Sequence, residues 1–517
     1  MIAARALDGA VVLVAAALGW ALVAGWPRPE AAFVALVATV SLRLLVRPLP
    51  LPALRPRRVV ATAVMLYAAV FSFISLTRHW TFLTHALDLG YYVQLLWNLA
   101  RGHGARVSLP EMHAWGDHLS PIVYPLVPLF WIAPGPEALL VLQSAWLALG
   151  AVAVFALARQ RLGDARPAAA FAVLYLVNPS LHGINVRDFH AAALAIPLLL
   201  AALYLAEAGR WIPFAAAILL TLACREDAAL PVIGIGAWLA LRHRRWLAGA
   251  VTAAVAAAVL AVDVAWVIPH FRGEPYSHLW RYQHLGRSLG DIAGALVLQP
   301  LRVIAQVLTR GRLTYLAALL APLAFLPLLA PLDALGALPA LAQNLLASDP
   351  ILFHHRTQYQ AFVLPFLILA AIGGYDRLAL RRPGRWPVRV LGVAMAVSLA
   401  LSARAANDLG WTRWRQTPEH GAAYALLARI PAAAAVSAHD RYVPHLSLRP
   451  LVFVFPVSLD RADHVLVHAA SYPWRNLPGV TLRREGATVA IAVEEERAEW
   501  RYDVVAEAGP HLLLRKQ

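Results

Sequence analysis

Apolar runs of helix length follow one another from the N-terminus to about Ser402. No other feature restricts the fold as much. Inside a bilayer no water is present to bind free N–H and C=O groups, so each run must satisfy its own backbone, as a helix does. The chain is 60% hydrophobic and only 14% charged, with a mean hydropathy of +0.61. Soluble domains carry about 25% charged residues. The difference selects an all-α polytopic membrane bundle over a soluble core.

A formal net charge of +16 would suit nucleic acid, but its distribution argues against that partner. The arginines gather in short loops between apolar runs, where they act as topology signals. They form no basic stripe interleaved with stacking aromatics. The single cysteine, Cys224, leaves no intrachain disulfide and no thiolate metal cluster. The first apolar run, about 8–26, is followed at once by a second at 30–46. Together they read as an uncleaved helical hairpin, not a signal peptide.

Lys and Arg favour cytoplasmic loops. The richest basic loops are Arg43–Arg58, Arg159–Arg166, Arg242–Arg245 and Arg377–Arg385, and all four are assigned to the inside. About thirteen spans then fit. After the hairpin they lie near 59–76, 137–158, 167–179, 190–206, 212–223, 229–241, 247–269, 313–330, 334–346, 360–375 and 388–405. The Pro-rich run 121–133 reads as a re-entrant or broken helix. The outer connections become 77–120, 180–189, 224–228, 270–312 and 347–359. They hold "LDLG" at Asp88, "DHLSP" at 117–121, "RDFH" at 187–190, "CRED" at 224–227 and "FHHRTQY" at 353–359. The basic loops alone set the orientation, and the polar motifs then fall on one face.

Beyond Ser402 the pattern changes. Alternating runs such as "RPLVFVFPV" and "DHVLVHAA" read as strands, and a helix-like "EHGAAYALLARI" precedes them. A small soluble α/β domain is expected there. An odd number of spans from an inner N-terminus puts it outside. Three divisions follow: 1–58, a hairpin and basic loop; 59–405, the main transmembrane domain; and 406–517, the extracytoplasmic domain.

Each motif admits a plain reading and a functional one. Asp88 starts a helical stretch whose Leu89, Tyr92, Leu95, Leu96 and Leu99 form a stripe suited to the membrane surface; the plain reading is an N-cap. Asp117 and His118 offer metal or proton chemistry, or a capped turn entering a span. Arg187, Asp188 and His190, with Arg225, Glu226 and Asp227, lie in or beside very short connections between apolar runs. A charge at a helix centre costs about 2.5–3.5 kcal/mol on insertion scales, so such groups point to a shared polar pocket. The plain alternative is ion pairing at helix ends, Arg225 with Asp227 for example. His354, His355 and Arg356 offer a planar fork for phosphate and imidazoles for protons or metal, or an interfacial anchor beside Tyr359. The loop 270–312, rich in aromatics and His, covers a site or merely links spans. The chain has no Walker A loop, GxGxxG turn, HExxH or GxSxG elbow, which argues against an ATP-driven machine or a zincin protease.

Taken in order, "LDLGYYVQLLWNLARG", "DHLSPIVYPLVPLFWI", "NVRDFHAAALAIPLLLAALYLA", "CREDAAL" and "NLLASDPILFHHRTQYQAFVLPF" resemble a family of multi-pass bacterial and archaeal membrane proteins, the domain of unknown function DUF 2079, over roughly residues 80–380. Arg225 stands where that family is expected to have Lys before the Glu-Asp pair, which keeps the charge and changes its geometry. The family in turn is similar to the GT-C membrane glycosyltransferases. This resemblance implies a sugar donor linked to polyprenyl phosphate, an acidic residue in the first large outer loop, and transfer on the outer face of the cell membrane.

On that resemblance Asp88 is the base that deprotonates the acceptor hydroxyl. Arg187, Arg225, His354, His355 and Arg356 are the candidates for the phosphate. His118, Asp188, His190, Glu226 and Asp227 would orient these groups or hold a divalent cation, Mg or Mn. The C-terminal domain would bind the acceptor. Two other classes stay open: a transporter or flippase relaying protons through these groups, and a non-catalytic scaffold. Convergence on one outward cavity favours the enzyme, a polar path to the inner face favours transport, and scatter favours the scaffold.

Overall fold

The computed structural model describes residues 2–26, 29–46, 55–468 and 479–517. Residues 47–54 of the first basic loop, Arg47 included, and the last two residues of "DHVLVHAA" lie outside the described residues. Among those described, five helices are long and apolar enough to cross a membrane: Arg5–Ala24, Pro29–Val46, Pro56–Trp80, Pro136–Leu162 and Trp246–Arg272. Two bent pairs, Ala165–Leu176 with Pro179–Asn185 and Pro300–Val307 with Arg310–Leu323, raise the number to seven. Ala191–Glu207, Trp211–Leu222 and Trp386–Leu401 are apolar but shorter. By length and composition the structure therefore supports five to seven of the expected spans. Backbone breaks explain part of the difference. Where one span was expected at 313–330, the chain leaves the helix and Ala324 and Phe325 turn left-handed, with φ of 48° and 56°.

Local chemistry sets the helix ends. Pro56, Pro136 and Pro179 open helices at the first position, where a missing N–H costs nothing. Gly163 ends Pro136–Leu162 in the left-handed region (φ 69°), and the Asp164 side chain then accepts from Arg166 N at 2.9 Å to start the next helix. Two residues thus reverse the chain. The helices share one apolar core that includes Phe71, Phe171, Tyr175, Trp238 and Phe366. Near this turn Arg161 pairs with Glu207 and, at 3.0 Å, with the buried Asp333, which Arg242 approaches at 3.4 Å. The basic loops around Arg161 and Arg242 therefore share one end of the bundle.

The chain finishes in a seven-stranded mixed sheet. The small hairpin β1 (Arg106–Ser108) and β2 (Glu111–His113) stands apart from it. In the large sheet β3 (Val436–Ala438) runs parallel to β4 (Val452–Val454) and β5 (His464–His468). β6 (Val480–Glu485), β7 (Thr488–Val493), β8 (Ala498–Ala508) and β9 (His511–Lys516) continue antiparallel, with Val465 facing Leu514 where β9 joins β5. The Pro418–Leu427 helix covers one face and begins with a capping box between Thr417 and His420.

A second core welds this sheet to the connection after the Pro56–Trp80 helix. Phe82, Ala86 and Leu109 pack with Val436, Leu446, Val452, Leu466 and Leu513. The Tyr91–Ala100 helix is caught between the two bodies. Leu89, just before it, and Tyr92, Leu95 and Leu96 of the stripe are buried in the bundle core, and Leu99 packs against that core partly buried. On the far side Gln94 Nε2 donates to the carbonyls of Arg449 and Pro450 at 3.2 and 3.1 Å. The stripe read as a membrane-surface face meets protein instead, because the C-terminal domain covers the helix from behind.

Candidate active site

Four segments, distant in sequence, close around a cavity of about 240 Å³. Arg78 comes from the end of the Pro56–Trp80 helix, and His85 and Asp88 from the turn that follows. Gly183, Arg187 and Asp188 come from the short Pro179–Asn185 helix and its exit. His354 and Arg356 lie in the 347–359 connection, and Arg404 and Asp408 on the Arg404–Asp408 helix.

Asp88 sits in a single π-helical turn, Ala86–Gly90, that runs into the Tyr91–Ala100 helix. Such turns are rare and favour functional sites. Asp88 is not at an N-cap position: His85 precedes the π-turn and Gly90 precedes the helix. The Asp88 side chain turns to His190, whose Nε2 lies 3.0 Å from Asp88 Oδ1. Burial pushes the Asp88 carboxyl up, but His190, His85 and Arg187 outweigh it and hold the group below the usual carboxylate range.

Asp188 behaves in the opposite way. Its backbone is left-handed, with φ of 63°, a conformation Asp tolerates better than most residues. Its carboxylate is buried and accepts from His85 N at 2.9 Å. Burial, then the negative Asp88, push it up to about 7. The buried Gln143 holds the strained loop from the neighbouring helix. Its Nε2 donates to the carbonyls of Asp188 (2.7 Å) and Asn185 (3.2 Å), and its Oε1 accepts from His190 N at 2.9 Å.

Facing the two acids is an excess of positive charge. Among the described residues the guanidiniums of Arg78, Arg187, Arg356 and Arg404 make no ion pair within 4 Å. Burial and the adjacent Arg404 pull Arg356 down to about 10. Burial, then Arg187, Arg356 and Arg404, lower His354. His355 stacks on His354 with ring centroids 5.3 Å apart and does not line the cavity. Gly183 makes this arrangement possible. A Cβ there would lie 2.4–2.6 Å from the Cβ, Cα and carbonyl oxygen of Arg356.

The remaining sequence candidates form a second cluster outside this lining. Glu226 is buried and receives His118 Nδ1 at 2.7 Å, Leu119 N at 3.2 Å and the Tyr276 hydroxyl at 2.9 Å. Burial pushes the His118 imidazole down, but Glu226 and Asp117 more than offset this and leave it raised. Arg225 is turned to Asp227 through two 2.6 Å hydrogen bonds, with Gln343 completing that carboxylate at 3.0 Å. Tyr359 and Phe362 lie against its guanidinium. The helix-end ion pair is thus present. The 270–312 loop does cover this cluster: His278 stacks on His118 at 4.5 Å and approaches Asp117 at 3.6 Å. Asp117, His118 and His278 are the described residues whose ligand atoms, all within 4.8 Å of one another, fit a metal ion. Asp117 and His118 were metal candidates from the sequence, His278 was not, and Asp188, His190, Glu226 and Asp227 lie outside the set.

Sequence reasoning did not single out Arg78, His85, Arg404 or Asp408 in the cavity, nor Gln143 and Asp440 behind it. Arg78 follows the expected span 59–76 and Arg404 lies at the end of the one at 388–405, where a basic residue passes for an interfacial anchor.

A family model described as "Predicted membrane protein (DUF2079)" matches residues 78–511, so the likeness runs beyond the 80–380 read from the motifs into the C-terminal sheet. No curated protein matches the chain by sequence. Among solved structures the fold is similar to that of ArnT from Cupriavidus metallidurans bound to undecaprenyl phosphate. That match has 13% identity and a TM-score of 0.51, and covers 88% of this chain and 97% of the other. The apo form of the same protein aligns over the same shares with 14% identity and a TM-score of 0.49.

Proposed function

The chain belongs to this family of predicted membrane proteins, and on that premise we propose that it is a membrane glycosyltransferase, moving a sugar from a polyprenyl-phosphate donor to an acceptor hydroxyl on the extracytoplasmic face. One observation carries the reading: Asp88, whose carboxyl is held below the usual range, shares a cavity with four guanidiniums that have no ion-pair partner among the described residues. Arginine forks match phosphate oxygens two at a time. The bundle whose fold this chain shares holds undecaprenyl phosphate, which supports the lipid class of the donor.

The residues allow the following chemistry. Asp88 accepts the proton of the acceptor hydroxyl. The freed oxygen attacks the anomeric carbon, the bond from that carbon to the phosphate oxygen breaks, and its electron pair stays on the phosphate. Arg187 and Arg356, with Arg78 and Arg404, balance the charge that gathers there. Arg225, engaged by Asp227, supports the wall of the second cluster in this scheme. A divalent cation held by Asp117, His118 and His278 would add fixed positive charge and tie the 270–312 loop to the first outer loop. The distribution of basic loops supports an outward-facing cavity, which would put the C-terminal sheet beside it on the same face.

The test is sugar transfer by the full chain from a polyprenyl-phosphate-linked donor. Asp88→Asn should lower turnover by about 10²–10⁴-fold while undecaprenyl phosphate still binds. Turnover near the wild-type rate would remove Asp88 from the base role. Absence of transfer with every polyprenyl-phosphate sugar offered, despite binding of the lipid phosphate, would overturn the transferase reading.

A further inference from the structure

The C-terminal domain touches the rim of the cavity through Asp440, which follows β3. One carboxylate oxygen accepts from Ala86 N at 2.8 Å, and the other meets His85 Nδ1 at 2.6 Å. An ionised carboxylate only accepts, so Nδ1 carries the hydrogen. The ring's other nitrogen, Nε2, has no partner among the described residues, and the half-exposed His85 side chain lines the cavity. The arrangement is a carboxylate fixing one nitrogen of an imidazole whose other nitrogen is free for chemistry.

We propose that His85 is the general acid of the transfer and that Asp440 is the positioning residue through which the C-terminal domain orients it. The assignment rests on the glycosyltransfer reading above. As the acceptor oxygen bonds to the anomeric carbon and gives its proton to Asp88, the carbon–phosphate oxygen bond breaks. The electron pair stays on that oxygen, and His85 Nε2–H supplies it with a proton. Each carboxylate facing His85 supports the imidazolium: Asp440 from the sheet, Asp188 from the loop after Pro179–Asn185, and Asp88 from its own turn. The Asp440 hydrogen bond raises His85 most, burial opposes it, and the balance lies above the ordinary value. Arg78, Arg187, Arg356, Arg404 and His354, with the acid Asp408 among them, complete the surrounding charge. The C-terminal domain is then part of the catalytic unit, and docking of the sheet against Phe82 and Ala86 assembles the acid.

Two readouts separate this proposal from the reading beneath it. The first needs no activity. Carbethoxylation of His85 by diethyl pyrocarbonate, which attacks neutral imidazole, is followed in the full-length protein by peptide mass spectrometry from pH 5 to 9. The wild-type midpoint should lie above the ordinary 6.5 or so and fall in Asp440→Asn. An unchanged midpoint overturns the positioning role whatever the enzyme does. The second is kinetic. His85→Gln should lose about 10²–10⁴-fold in kcat with KM for the donor little changed. Asp440→Asn should move the alkaline limb of the pH profile to lower pH, and Asp440→Glu should restore part of it. A normal kcat in His85→Gln, or an unmoved alkaline limb, overturns the acid role. A shifted midpoint in a wild-type protein that transfers no sugar overturns the transferase reading, and with it the acid role, while upholding the Asp440 positioning.

Discussion

The backbone N–H of His85 donates to the Asp188 carboxylate at 2.9 Å, across 103 positions of sequence. This bond ties the turn carrying Asp88 to the loop carrying Arg187, and it places a second acid beside the first. Their surroundings drive them apart: Asp88 falls below the usual range while Asp188 rises to about 7. Pairs of titratable groups separated in this way mark sites where one carries a charge and the other a proton.

The raised Asp188 gives a stability prediction with a definite sign. An unfolded Asp titrates near pH 3.9 or so, so the native state binds an extra proton between that value and about 7. The stabilisation is complete below the unfolded value and is lost as pH rises through 7. Asp188→Asn removes the titration, keeps an oxygen for His85 N–H, and suits the left-handed backbone. Its Tm should exceed that of the wild type at pH 8, with the gap closing towards pH 5. Parallel Tm values at both pH values would show that the buried carboxyl titrates normally.

Arg356 should matter for donor affinity above all. Its lowered basicity reflects burial and crowding by Arg404 and Arg187, a repulsion that a bound phosphate relieves. A charge-assisted hydrogen bond contributes about 1.5–3 kcal/mol. Arg356→Ala should therefore weaken undecaprenyl phosphate binding by about 10- to 150-fold. Arg356→Lys should recover only part of this, because the planar fork is lost. Equal affinity in all three proteins, read by lipid titration, would take Arg356 out of the phosphate site.

Gly183→Ala tests the same placement from the other side. The added Cβ would fall 2.4–2.6 Å from Arg356 backbone and side-chain atoms, so one segment must move. Overpacking of this kind costs about 1–3 kcal/mol. The variant should melt lower than wild type and bind the lipid phosphate as weakly as Arg356→Ala does. In an Arg356→Ala background it should weaken binding little further. Independent, additive losses would mean that Gly183 acts on binding by another route.

Much of this cavity is legible in the sequence because charge is conspicuous in so apolar a chain. Arg187, Asp188, His354 and Arg356 stand out in short connections and Asp88 in the first large outer loop, and the structure gathers them. The same signal also drew in Arg225, Glu226 and Asp227, which satisfy one another or their neighbours in a separate cluster. Sequence position cannot distinguish an arginine facing a cavity from one folded back on its own Asp two residues on. Arg78 and Arg404 escaped because flanking cations are ordinary at span ends. Asp440 escaped because its meaning depends on how the sheet docks, and no periodicity encodes docking. The apolar stripe from Leu89 to Leu96 was readable, but the cover over the opposite face of that helix is a tertiary fact. The span count is the weakest inference, since several apolar runs fold as short, bent or broken helices.

Gln143 is the least conspicuous residue in this arrangement, an uncharged side chain within the long Pro136–Leu162 helix. It is fully buried and makes three hydrogen bonds, all to backbone groups of Asn185, Asp188 and His190. Ser144, one residue on, adds a bond to the Asn185 side chain at 3.1 Å. The loop they hold places both Asp188, in a strained conformation, and His190, the partner of Asp88. Gln143→Leu preserves bulk but strands two carbonyls and one N–H away from water. Each unpaired buried group costs about 1–3 kcal/mol, and the loop can lower that cost only by leaving its left-handed turn. The variant should therefore lose transfer activity although Gln143 does not line the cavity, and its Tm should fall. Ser144→Ala, which removes one bond to a side chain, should have a much smaller effect on both. If Gln143→Leu kept wild-type turnover, the geometry of the Asp188 loop would not be what sets the reactivity of Asp88.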